Sequence, residues 1–214
     1  MKKAVVFDFD GTLASTFKIV SKAFECVEEN FMHRKFTNED WERISGPNEE
    51  GIINRLIENP IDAKKAFDDY IRDYEKYHDE CLKDFIPGIR AILTKLNNLG
   101  YFVFLLTGRS KESLDISLKK LEGYQYFKNF YWGSSTGHVK DINLLKILNE
   151  YNLKKEDVIY VGDTKDDIDQ CRQVDIDIIS VVYDDFASHT NFEELNPGMV
   201  AHSPSEVYNL IVRN

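Results

Sequence analysis

Two hydrophobic periods divide the chain. Ala4-Val5-Val6-Phe7 is a short unbroken apolar run, which predicts a buried strand. From Ser15 to about Phe85 the apolar spacing becomes that of helices. Phe17, Val20, Phe24, Val27 and Phe31 recur every three or four positions and predict one amphipathic helix. Thr37-Asn38-Glu39-Asp40 offers a capped helix start before Trp41 and Ile44, and Ser45-Gly46-Pro47-Asn48 interrupts it. A second run passes through Ile52, Ile53, Leu56 and Ile57. After the break at Asn59-Pro60, Ala63, Phe67, Tyr70, Tyr74, Tyr77 and Leu82 mark a long helix. The stripe Tyr70, Tyr74 and Tyr77 reads first as core, with a substrate wall or a dimer contact as the alternatives.

Phe85-Ile86-Pro87-Gly88 closes this helical stretch, because Pro87 and Gly88 together favour a turn. Helix and strand then alternate. Ile92, Leu93, Leu96 and Leu99 mark a helix ending at Gly100, and Tyr101 to Leu106 reads as a strand buried on both faces. A helix through Leu114, Ile116, Leu118 and Leu121 leads to a strand near Phe127 to Trp132. Leu144, Leu145, Ile147 and Leu148 mark the next helix. Strands follow at Val158 to Val161, at Ile178 to Val182 and near Met199-Val200, and a helix spans Ser205 to Val212. The alternation predicts an α/β fold, a Rossmann-like parallel sheet with helices on both faces. Ligands of such sheets bind at the carboxyl ends of the strands.

Composition narrows the chemistry. The chain has 214 residues, 43% hydrophobic and 30% charged, enough for a full core. A formal charge of −10 argues against nucleic acid or an anionic membrane as a binding partner. Any phosphate site must therefore bring its own cations. Cys26, Cys81 and Cys171 lie far apart without metal-ligand spacing and read as reduced structural thiols; the five histidines show no zinc pattern. The short apolar run after Met1-Lys2-Lys3 is expected to be neither a signal peptide nor a membrane span, and the protein is expected to be cytoplasmic.

The candidate chemistry sits where strands end. Asp8 and Asp10 leave the first strand on one face, since the side-chain period of a strand is two. Two carboxylates this close repel and lose solvation on burial, which a divalent cation would offset. Alone, the pair also fits an ordinary polar strand exit. Thr107-Gly108-Arg109 ends the second strand with a hydroxyl and backbone amides suited to a phosphate oxygen, although Thr107 or Ser110 would equally serve as a helix cap. Arg109 reads as a solvated surface residue. Lys140 precedes the fourth strand in a polar loop, where lysines ordinarily face solvent, and Lys146 competes with it from inside a helical pattern. Val161-Gly162-Asp163 ends the fourth strand, and Asp167 falls one helical turn further on, facing the same region. Their hard oxygen donors suit Mg²⁺, whereas the helix dipole accounts for Asp166 and Asp169.

Asp8-Phe9-Asp10-Gly11-Thr12-Leu13 resembles the first motif of the haloacid dehalogenase-like superfamily of phosphotransferases. Thr107 at a strand end resembles the second motif and Lys140 the third-motif lysine, with Asp141 where proline is frequent. Gly162-Asp163 followed by Asp167 resembles the fourth. The helical stretch is similar to that superfamily's type-1 cap, and the nearest patterns are phosphoglycolate-phosphatase-like and β-phosphoglucomutase-like. The resemblance implies a catalytic core over residues 1–14 and 86–214 and a helical cap over 15–85. It implies a Mg²⁺-dependent phosphatase acting on a small phosphorylated metabolite through an aspartyl-phosphate. Asp8 would be the nucleophile and Asp10 the acid and base. Asp8, the main-chain carbonyl of Asp10 and Asp163 would hold the metal with Asp167 in support. Thr107, the Gly108 amide and Lys140 would hold the phosphoryl oxygens, and Gly11 would be a hinge for the cap.

Asp10 weighs against the superfamily's ion-pumping ATPases, which carry Thr there, and against its dehalogenases, which lack the paired acid. A β-phosphoglucomutase-type phosphomutase uses the same residues and stays open, as does a silent binding protein on this fold. A signalling receiver domain would need neither the helical insert nor Asp10-Gly11-Thr12. Gly46-Pro47-Asn48 lies where related caps reach toward substrate, and equally reads as an interhelical turn. Ser15 stands where many relatives carry an acid, and Gln173-Val174-Asp175 replaces a frequent Ala-Gly, which weakens transfer of a substrate name. Monomer and homodimer are both open.

Overall fold

A computed structural model describes residues 2–37, 40, 46–184 and 190–213. Among these, β1 (Ala4–Phe7), β2 (Phe102–Leu106), β3 (Asn129–Tyr131), β4 (Val158–Gly162), β5 (Asp177–Val181) and β6 (Val200–Ala201) form one sheet in the order β3-β2-β1-β4-β5-β6. Every pairing is parallel. β1 is central: Val5 lies opposite Val103 on one side and Ile159 on the other. Its four residues are buried on both faces, hence the unbroken apolar run.

Between β1 and β2 lie α1 (Phe17–Val27), α2 (Glu49–Leu56), α3 (Pro60–Cys81) and α4 (Ile89–Asn98). Then come α5 (Lys111–Lys120), α6 (Lys140–Tyr151), α7 (Lys165–Val174), α8 (Phe192–Leu195) and α9 (Pro204–Arg213). Val5 and Phe7 share an apolar cluster with α4, α5 and α9, while Ala4 and Val6 share one with α6 and α7. Helices thus cover both faces, as the alternation predicts. Ile19 and Phe24 of α1 and Tyr70 and Tyr74 of α3 join the first cluster, so the helical insert rests on that layer. The Ile86 amide donates to the Leu13 carbonyl at 2.9 Å, which pins the insert's exit beside its entry.

Local differences have local causes. α1 stops at Val27 and continues as a wider π-helical turn, Glu28–Met32, that takes in Phe31 and ends at His33 with φ of +54°. The buried Glu28 carboxylate accepts the Phe36 amide at 2.6 Å and Lys35 Nζ at 2.7 Å, folding the chain back. The expected helix of Trp41 and Ile44 lies outside the described residues. β3 is shorter than its apolar run, because Phe127 closes the 3₁₀ turn Tyr124–Tyr126 instead.

The chain leaves β1 for β2 and β3 on one side, then crosses to β4 on the other. Its topological switch therefore lies between β1 and β4. Asp8 and Asp163 follow those two strands directly.

Candidate active site

The Asp8 amide donates to the Val161 carbonyl at 2.9 Å, extending the β1–β4 pairing until the two carboxylates meet. One oxygen from each of Asp8, Asp163 and Asp167 falls within a group 4.8 Å across. Oδ1 of Asp163 is buried with no hydrogen-bond partner among the described residues, and the buried Oδ1 of Asp8 has an ion-pair contact with Lys140 Nζ but no well-formed hydrogen bond. Burial, the largest influence, pushes the Asp8 carboxyl up to about 7 against the pull of Lys140. Burial followed by the charges of Asp8 and Asp167 raises Asp163 well above the carboxylate range. Clustered carboxylates this short of donors fit a hard divalent cation.

Glycines make the approach possible. Gly11 has φ of +66°, and a Cβ there would overlap the Asp163 carboxylate. The position expected to be a hinge is thus also a close contact between the two acidic turns. A Cβ on Gly162 would lie 2.6 Å from Asp167 Oδ2, so the last residue of β4 leaves room for the carboxylate of α7.

Asp167 is fully buried and accepts four hydrogen bonds. Lys140 Nζ at 2.6 Å and Tyr160 Oη at 3.0 Å donate to Oδ1, and the Thr164 amide at 3.1 Å and Oγ1 at 2.6 Å donate to Oδ2. Burial would raise its pKa, but Lys140 and the Thr164 donors bring it below the ordinary value. Lys140 Nζ also lies 3.2 Å from Asp8 Oδ1. The expected loop lysine is in fact buried in the first turn of α6, where Gln170 Oε1 accepts its amide at 2.8 Å. Burial would lower its pKa, yet Asp167 and Asp8 hold it above the lysine range. Lys146 is exposed on the same helix and pairs with Glu150 at 3.8 Å. Among the two lysines, only Lys140 reaches the carboxylates.

Thr107 is fully buried at the end of β2, and its Oγ1 accepts the Arg109 amide at 3.3 Å. Gly108 is exposed to a cavity of about 510 Å³ that Asp8, Asp10, Gly11, Lys140 and Asp163 also line. Thr107 and Asp167 lie behind that wall. A Cβ on Gly133 would overlap the Gly108 carbonyl, so the β3–α6 loop presses against this turn.

Arg109 corrects the sequence reading: it is buried, not a solvated surface residue. Its guanidinium donates to Tyr74 Oη at 2.7 Å, Asp10 Oδ1 at 3.3 Å and Glu49 Oε1 at 3.3 Å. Glu49, from the first turn of α2, also accepts Ser113 Oγ at 2.6 Å and the Ser110 amide at 2.6 Å. Burial would raise the Glu49 carboxyl, but Arg109 and these donors bring it below its ordinary value. Thr16 Oγ1 also donates to Asp10. Glu49 was not singled out in the sequence, where it reads as an ordinary acid behind the Asn48 cap; its partner is 60 residues away. Tyr74 is core, as the helical stripe predicts, and its hydroxyl also contacts Ser117 at 2.8 Å.

The Gly46-Pro47-Asn48 turn leads into α2 and lines the cavity. Asn48 Oδ1 caps α2 through the Gly51 amide at 3.0 Å. The Asn48 amide donates to the Ser134 carbonyl at 2.8 Å, so the insert lies closed on the sheet domain's loop. Among the described residues no helix is long and apolar enough to cross a membrane.

Comparisons with known proteins bear on the family and the fold. The protein-family model described as "Haloacid dehalogenase-like hydrolase" matches residues 5–181. The pyrophosphatase PpaX of Bacillus anthracis is 24% identical over 166 residues, covering 77% of this chain and 76% of PpaX. CbbY from Rhodobacter sphaeroides, solved in complex with phosphate, superposes with a TM-score of 0.80 at 16% identity, covering 97% and 96% of the two chains. A haloacid dehalogenase-like hydrolase from Streptococcus pneumoniae gives 0.76 at 22% identity over 98% of each chain. At these identities the solved structures establish a shared fold.

Proposed function

The chain belongs to the haloacid dehalogenase-like hydrolases, and on that footing we propose a Mg²⁺-dependent phosphatase that hydrolyses a small phosphate monoester through an aspartyl-phosphate. One observation carries this reading: the buried carboxylates of Asp8 and Asp163 converge, Asp163 Oδ1 with no hydrogen-bond partner among the described residues, while Lys140, held by Asp167, reaches Asp8 Oδ1 at 3.2 Å. That combination offers a nucleophile, a cation site and a fixed positive charge at one point.

Asp8 attacks phosphorus, and the bond to the leaving oxygen breaks as Asp10 protonates it. Water then attacks the acyl phosphate, Asp10 takes its proton, and the phosphorus–Asp8 bond breaks to release phosphate. The Gly108 amide and Lys140 hold the phosphoryl oxygens, while Thr107, fully buried and outside the cavity lining, braces the turn through its bond from the Arg109 amide. Asp8, the Asp10 carbonyl and Asp163 would hold Mg²⁺, which offsets the charge of nucleophile and phosphate. Residues 15–85 serve as a cap that excludes water, turning about Gly11.

Phosphate release from a panel of sugar, glycolyl and nucleotide monophosphates, with and without Mg²⁺, tests the proposal. Metal-dependent release lost in folded Asp8→Asn supports it. Sugar-phosphate isomerisation without release would replace it with a phosphomutase, and neither activity in folded protein would sink it.

A further inference from the structure

The cavity over Asp8 combines carboxylates with an apolar stretch of wall. Phe17, Val20 and Phe24 of α1, Pro47 and Ile52 around α2, and Val139 form much of the wall facing it. Its volume, about 510 Å³, lies within the ~300–1,000 Å³ of pockets that enclose ligands of drug size. A phosphoryl group bearing two carbons would leave that wall in contact with water, at a hydrophobic cost.

Charge points the same way. Asp8, Asp10, Glu49, Asp163, Asp166 and Asp184 line the cavity, against two fixed cations among the described residues, Lys140 and Arg109; His138 also lines it, with Nδ1 2.9 Å from Asp166 Oδ2. Lys140 is engaged by Asp167 and Asp8. Arg109 is shared between Asp10 and Glu49, each at 3.3 Å, and it lends the wall no net positive charge. A divalent ion on the floor still leaves this surface anionic. A second anion on the leaving group would meet carboxylates with no uncommitted cation among the described residues, a like-charge encounter that disfavours binding.

We propose that the substrate is a phosphate monoester whose leaving alcohol bears an apolar body and no second anionic group, and that Glu49, by neutralising Arg109, enforces the exclusion. The inference rests on the phosphatase reading above. It sets this chain apart from a pyrophosphate or phosphoglycolate hydrolase on the strength of its own wall.

The test is phosphate release from phenyl phosphate and from 4-carboxyphenyl phosphate, a pair that differs in one distal charge, with phosphoglycolate and pyrophosphate beside them. The expected result is a kcat/KM for phenyl phosphate more than ~10-fold above each of the other three, with Glu49→Gln narrowing the ratio to the carboxylated ester. Equal or faster turnover of the anionic substrates by the wild type overturns the inference and leaves the phosphatase reading intact. No release from any ester overturns both. An unchanged ratio in folded Glu49→Gln removes the role given to Glu49, and the wild-type ratio decides the substrate class even if that variant does not fold.

Discussion

Asp167 Oδ1 holds Lys140 Nζ at 2.6 Å, with the aspartate fully buried and the lysine nearly so. The pair joins the first turns of two helices, α6 and α7, and delivers a charge to Asp8. Asp167→Asn is expected to cost about 3 kcal/mol of stability, since it leaves a buried cation with one carboxylate fewer. It should also lower kcat more than it raises KM, because Lys140 would lose its fixed position. Urea denaturation and steady-state kinetics on the same preparation check both.

The Asp8 carboxyl, pushed up to about 7 by burial, makes the metal-free protein pH-sensitive. A carboxyl raised by folding contributes stability that is fully present below its unfolded pKa and lost as pH rises through the folded value. Metal-free protein should therefore lose stability as pH rises from about 4 to about 7. Mg²⁺ competes with that proton. The melting-temperature increase produced by Mg²⁺ should be larger at pH 8 than at pH 5.5, and equal increases would contradict the site.

Gly11→Ala combines a left-handed φ with a Cβ that overlaps Asp163. The variant should lose most of its Mg²⁺ response in a thermal-shift assay, because Asp163 must move. Stability should fall by about 1–2 kcal/mol from the backbone term. An unchanged Mg²⁺ response would show that Asp163 takes no part in holding the ion.

Asp175 terminates α7 at φ of +58°, exposed and with no catalytic contact. Asp175→Gly should stabilise the protein by up to ~1 kcal/mol without changing turnover. Chemical denaturation beside an activity assay checks it.

The apolar runs at Val5, Val103 and Ile159 and the acids that follow two of these strands were readable in the chain. Strand periodicity and strand-end chemistry are local, spanning a few residues each. Lys140 was placed by its order in the chain, though its burial in α6 was not visible. The period of α1 carried through Phe31 in the sequence, whereas the turn there widens because Glu28 folds back onto Lys35 and Phe36. The turn at Asn48 is legible as a break, but not its contact with Ser134, in a loop two strands further along the chain.

Sequence by itself thus determined the parallel α/β layers, the helical insert and the acidic strand ends, because each depends on side-chain period and neighbours a few positions away. Tertiary structure alone decided that Arg109 is buried, that Glu49 and Tyr74 are its partners, and that the cavity wall is anionic and apolar. Those facts depend on which surfaces the closing insert brings together. Glu49 and Arg109 have no short-range pattern: the free energy of an arginine so far from its carboxylate is set by the desolvation and pairing that only the folded interface supplies.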